Sequence, residues 1–96
     1  MQKSLSEFLN TDCSQFSSSA ELTALWYDGK GDWEKAHDQV DQLSGKTAAR
    51  VHAYLHRKEG DLWNADYWYA RAGEKRPHLS LEEEWGELVE RFLAAG

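Results

Sequence analysis

The sequence predicts an all-α fold: two antiparallel helix pairs stacked on one another and closed by a C-terminal capping helix. Three observations carry this. A faint repeat, offset by 29 residues, aligns Gly31-Asp32 and Ala36 with Gly60-Asp61 and Ala65; it also aligns Ala24 with Ala53, Trp26 with Leu55 and Val40 with Tyr69. A period of this length marks stacked supersecondary units. Apolar residues recur at helical spacing in successive stretches bounded by glycine or by capping residues, and no alternating strand pattern appears.

Each element follows from local chemistry. Residues 1–17 are expected to form a loose arm, in which Leu5, Phe8 and Leu9 have the spacing of a short helix, and Ser14 to Ser19 read as linker. A single helical domain then spans 18–96. Its first helix, about 18–30, opens on a capping box of Ser18 and Glu21, carries the stripe Leu22, Leu25 and Trp26, and ends at Gly29 and Gly31. The second, about 32–43, is capped by Asp32 and buries Trp33, Ala36, Val40 and Leu43. Ser44-Gly45 is a break short enough to make the flanking helices antiparallel neighbours. The third helix, about 47–59, buries Ala48, Val51 and Leu55. Gly60 stops it and Asp61 caps the fourth, about 62–72. The fourth is apolar nearly all round, which predicts a helix central to the bundle or covered by a partner; Leu62, Ala65, Tyr69 and Ala72 form its expected core face. Gly73 and Pro77 end it. The fifth, about 81–94, begins with a capping box of Ser80 and Glu83 and turns Leu81, Trp85, Leu88 and Phe92 to the core, with Val89 and Leu93 alongside.

Composition narrows the function classes. The chain has 96 residues, enough for one domain and one modest core. A formal net charge of -6 argues against general nucleic-acid binding. No apolar run approaches a membrane span or a secretory leader, and the single Cys13 suits a reducing compartment, so a cytoplasmic protein, monomer or homodimer, is expected.

Gly60, Ala65, Tyr69, Ala72 and Pro77 have the spacing of the second half of a tetratricopeptide repeat, and the unit resembles that family. The first unit keeps Gly31 and Ala36 but has Val40 and Leu43 where the pattern has an aromatic residue and a second Ala. The segment VHAYLHRKEGD, with NADYWYARAG after it, also resembles a group of small uncharacterised microbial proteins, from which no catalytic residue carries over. The tetratricopeptide-like resemblance implies a concave groove lined by the first helix of each pair. Arg50, Tyr54 and Arg57 would line it in one pair, and Glu21, Leu25 and Asp28 in the other.

Three constellations bear on chemistry. Arg50, Tyr54 and Arg57, with Arg71 nearby in a basic stretch, suit a carboxylate clamp for a peptide or small acidic ligand. Against this, Glu21 facing Arg50 and Asp28 facing Arg57 would make a solvated ionic ladder. His52 and His56 stand one turn apart and His37 lies on the preceding helix, with Asp28, Asp38 and Glu59 as possible carboxylate companions. Three such groups suit a divalent transition metal such as Zn, whereas two core histidines satisfied by hydroxyls or carbonyls would suit packing alone. Trp63 and Tyr67, with Trp68 adjacent, form an aromatic strip that anchors either an interface or the packing of neighbouring segments. No nucleotide or hydrolase motif occurs. The expected role is a non-enzymatic binding module for a protein segment or acidic ligand, without a cofactor. The alternative is a metal-binding protein or small metal-dependent enzyme built on His37, His52 and His56.

Overall fold

The computed structural model describes residues 3–95, and among these it is all-helical. Helix α1 spans Lys3–Asn10, a 3-10 turn Cys13–Phe16, α2 Ala20–Gly29, α3 Trp33–Val40, α4 Lys46–Lys58, α5 Leu62–Arg71 and α6 Leu81–Ala95. Helices α2 and α3 form one antiparallel pair, and α4 and α5 the other. The pairs meet through α3 against α4, while α6 closes over α2 and α4.

The repeat is visible as repeated capping chemistry. Gly31 and Gly60 both take positive φ, at 88° and 90°. The next amide returns to the helix just ended, Asp32 N to Tyr27 O at 2.9 Å and Asp61 N to His56 O at 3.0 Å. The aspartate side chain then caps the following helix, accepting from Lys35 N in one unit and from Asn64 N in the other. Each helix pair therefore turns within a Gly-Asp step. Ser80 and Glu83 make the expected reciprocal capping box at the start of α6, at 3.0 and 2.9 Å.

Several local expectations are corrected. The cap of α2 is Ser19, which accepts from Leu22 N at 3.1 Å, and not Ser18. Gly29 is still helical; it is small because Leu9 and Trp85 pack where a Cβ would sit, at 2.6 and 2.8 Å. Helix α3 stops at Val40, so Leu43 falls in the loop and is exposed, and Leu62 at the start of α5 is exposed as well. The largest correction exchanges two helices. It is α4, not α5, that is buried on every face, from Ala48 through His56. Helix α5 buries only Ala65 and Tyr69, and leaves Leu62, Trp63 and Tyr67 to solvent. The cause is α6, which lies against α4 and fills the side that a concave groove would leave open.

The segment expected as an arm packs into the fold. Phe8 is buried, with the rings of Phe16 and Trp85 at 4.8 and 6.0 Å. Trp26 Nε1 donates to Thr11 O at 2.8 Å, and Thr23 Oγ1 donates to Phe16 O at 3.0 Å. The main core gathers Phe8, Leu22, Leu25, Val40, Val51, Leu55, Leu88, Val89 and Phe92.

Burying α4 forces its polar side chains to find partners inside the fold. The carboxylate of Glu84, on α6, is fully buried and takes Arg50 Nη1 at 2.7 Å, Arg57 Nη1 at 2.6 Å and the Tyr69 hydroxyl at 2.6 Å. On the other flank, buried Asp28 accepts from the Tyr54 hydroxyl at 2.6 Å and from Lys58 Nζ at 2.8 Å. Removing one member of a buried charge cluster leaves the others uncompensated, at about 3–5 kcal/mol. Glu84→Ala is therefore expected to lose about 3–5 kcal/mol in urea denaturation, while Glu74→Ala, which removes a half-exposed partner of Arg50, loses about 1 kcal/mol or less. Equal losses for the two variants would contradict this account of the core.

Candidate metal centre

Helix α3 contributes His37 and helix α4 contributes His52 and His56, one turn apart on a single face. Ala36 and Val40 are fully buried beside His37, and α3 packs against α4, which brings the rings together. The three side chains each offer a nitrogen within 4.8 Å of the others. The His37 and His52 Nε2 atoms are 2.9 Å apart, so one donates to the other. Ring centroids are 4.7 Å apart for His37 and His52, 5.3 Å for His37 and His56, and 4.8 Å for His52 and His56.

Two tryptophans wall the cluster. Trp33 stacks on His37 at 4.9 Å and meets His56 edge-on at 6.1 Å; its Nε1 is tied to Leu55 O at 2.8 Å. Trp68, from α5, stacks on His52 at 4.1 Å and 20°. These contacts fix the ring planes without using any histidine nitrogen. A carboxylate fixes the third ring: His56 Nδ1 lies 2.7 Å from Glu59 Oε2. That contact leaves His56 Nε2 for the cluster, the arrangement in which an outer carboxylate sets the tautomer of a metal-ligating imidazole. Asp41, one turn beyond His37, brings Oδ1 to 3.9 Å from His37 Nε2. Solvent reaches the cluster on this side, where His37 is one-fifth exposed and Asp41 about half.

Electrostatics favour the neutral form at the centre. Burial, then the charges His37 and His56 would carry, push His52 from its ordinary 6.5 down to about 4, against a weaker pull from Asp41. Its Nδ1 is buried and has no hydrogen-bond partner among the described residues. A neutral imidazole is the form that binds metal. A second group, His56, Glu59 and Asp61, also lies within ligating distance. There, however, the Asp61 carboxylate is committed to capping α5 through Asn64 N and Nδ2, and those bonds hold its pKa below the usual value.

The remaining sequence candidates fall elsewhere. Arg50 and Arg57 do grip a carboxylate, but it is the buried one of Glu84, and the Tyr54 hydroxyl is given to Asp28. The expected pairs Glu21 with Arg50 and Asp28 with Arg57 are replaced: Glu21 accepts from the Thr47 hydroxyl, and Asp28 pairs Lys58. Arg71 donates to the Tyr67 hydroxyl at 2.9 Å and lies over the Trp68 ring, on the aromatic side of α5. Trp63 is 80% exposed and Tyr67 47%. Two residues went unread in the sequence, and both had a signal. Asp41 is four residues after His37, on the same helical face. Glu84 stands four before Leu88, within the stripe that buries α6. Comparison with family models, with curated proteins and with solved structures returned no match.

The depressed pKa of His52 has a consequence for stability. The unfolded chain takes up this proton near pH 6.5 and the folded one only near 4. The associated stability is thus complete above about pH 6.5 and is lost as pH falls toward 4, by up to roughly 3 kcal/mol. Metal-free protein is expected to show this loss in urea titrations across that range. His52→Phe, which keeps an aromatic ring against Trp68, is expected to flatten it. An unchanged pH slope in the variant would refute the assignment to His52.

Proposed function

We propose that the protein binds a divalent transition metal through His37, His52 and His56, and that the bound ion clips the two helix pairs together. The observation that carries this reading is the convergence of three imidazoles from two helices, each with a nitrogen within 4.8 Å of the others. Three nitrogen donors suit Zn, Ni, Cu or Co and suit Mg or Ca poorly. The short Nε2–Nε2 separation of 2.9 Å is compatible with a site slightly closed in the absence of metal. Bonds of 2.0–2.1 Å to a tetrahedral zinc imply a ligand–ligand edge of ~3.3 Å, which small ring rotations would reach. Because His37 stands on α3 and the other two on α4, metal bound to the native form adds directly to the stability of the junction between the pairs.

The experiment is a titration of untagged protein with Zn, Ni, Cu and Mg salts, read by calorimetry and by thermal unfolding. One ion of Zn, Ni or Cu per chain, a raised Tm and no response to Mg are expected. His37→Ala and His52→Ala are each expected to abolish the response. Absence of binding by the wild-type protein would overturn the proposal.

A second reading, an interaction module, draws support from the exposed face of α5, where Leu62, Trp63 and Tyr67 project into solvent. Exposed aromatic residues of this kind anchor interfaces. Because Trp63 contributes little to the core, Trp63→Ser is expected to change stability by about 0.5 kcal/mol or less in denaturant titrations. A larger loss would mean that the strip serves folding instead of association.

A further inference from the structure

We infer that Asp41 is the fourth ligand of the metal centre, closing it into a three-nitrogen, one-oxygen tetrahedron with no position left for substrate. The inference rests on the metal-binding reading above and assigns the coordination that reading leaves open.

The geometry supplies the first argument. Asp41 Oδ1 is 3.9 Å from His37 Nε2. That is too long for a hydrogen bond, so the carboxylate faces the nitrogen without being bonded to it. It is close to the ~3.3 Å edge between two ligands of one tetrahedral zinc ion. The nitrogen it faces is also the one in contact with His52 Nε2, at 2.9 Å; the oxygen itself stands outside the 4.8 Å that the three imidazole nitrogens keep among themselves, so the half-exposed Asp41 side chain would close on the ion by rotating toward them. The i, i+4 spacing of His37 and Asp41 is the same as that of His52 and His56. Each helix would then present one pair of ligands from successive turns.

The other nearby carboxylates are accounted for. Glu59 lies against Nδ1 of His56, the nitrogen opposite the one offered to the cluster. Asp61 is spent on the cap of α5. Asp28 is held by Tyr54 and Lys58 on another flank of α4. Asp41 also occupies a position that helix chemistry disfavours. It is the C-cap residue of α3, where the partial negative charge of the helix end repels a carboxylate. A cation held between Asp41 and the imidazoles reverses that penalty.

A closed four-ligand site and an open three-ligand site predict different chemistry. Structural zinc centres fill all four positions with protein groups, whereas catalytic ones keep a water. With Asp41 bound, the ion is a clip; without it, the ion holds an exchangeable water.

The test uses the full chain loaded with Co²⁺, whose visible absorption reports coordination number, and adds azide as a probe of an open position. The wild-type protein is expected to give the intense spectrum of a four-coordinate ion and to be unaffected by azide. Asp41→Ala is expected to bind Co²⁺ about 10-fold or more weakly, and its spectrum is expected to shift on adding azide; Asp41→Asn should fall between the two. Asp41 is about half exposed, so neither substitution is expected to unfold the protein, and circular dichroism checks this. If Asp41→Ala keeps the wild-type affinity and spectrum while His52→Ala loses binding, the fourth-ligand assignment is wrong and the three-histidine site stands. If the wild-type protein binds no Co²⁺, both fail together.

Discussion

Helix α4 has no side facing water over its central part, and the rest of the structure answers to that constraint. From Ala48 to His56 each residue is buried, yet the stretch includes Arg50, His52, Tyr54 and His56. A buried polar group without a partner costs about 1–3 kcal/mol, and more when charged. Helices α2, α3 and α6 therefore each supply a counterpart. Helix α6 brings Glu84 to Arg50, α2 brings Asp28 to Tyr54, and α3 brings His37 to His52. Burial also makes the Tyr54 and Tyr69 phenols still weaker acids than usual, so both remain hydrogen-bond donors to carboxylates. The one buried side-chain atom left over among the described residues is His52 Nδ1, within the histidine cluster.

The same constraint explains why the cluster lies where it does. Two flanks of α4 are closed by charged and hydroxyl networks, on Glu84 and on Asp28, and the flank toward α5 by the apolar cluster of Ala53, Ala65 and Tyr69. The fourth, against α3, is closed by imidazoles and indoles, among which His52 Nδ1 has no hydrogen-bond partner among the described residues. Trp33 and Trp68 exclude water from two sides and hold the rings in place. This arrangement costs stability when His52 takes up a proton, since burial opposes its charged form. A divalent ion would take one nitrogen from each of the three rings, which is the physical reason for preferring a metal to simple packing.

Much of the fold was legible because its punctuation is chemical. Gly31-Asp32 and Gly60-Asp61 each combine a left-handed stop with a side-chain cap, and both fall where the sequence requires a turn. The helix stripes of α2 and α6 were also readable. What was not legible depended on which helix lies beside which. Helix α5 is the more apolar in sequence, so it appeared central; α4, with its arginines and histidines, is central in fact because its charges are neutralised by α2 and α6. Glu84 reads as one acidic residue among many until it is seen between Arg50 and Arg57. The packed N-terminal segment, with Phe8 in the core, follows from long-range contacts that serine-rich flanking sequence conceals. At the site, the identities of His37, His52 and His56 were readable from spacing, whereas their convergence, and the positions of Glu59 and Asp41 around them, required the angle between α3 and α4.

The central claim, that the imidazoles of α3 and α4 share one metal ion, is tested most directly by X-ray absorption spectroscopy of the zinc-loaded full chain. The account predicts one zinc per chain with three imidazole nitrogens at about 2.0–2.1 Å in its first shell. A shell of oxygens only, or of a single imidazole, would place the ion elsewhere on the surface and contradict the account.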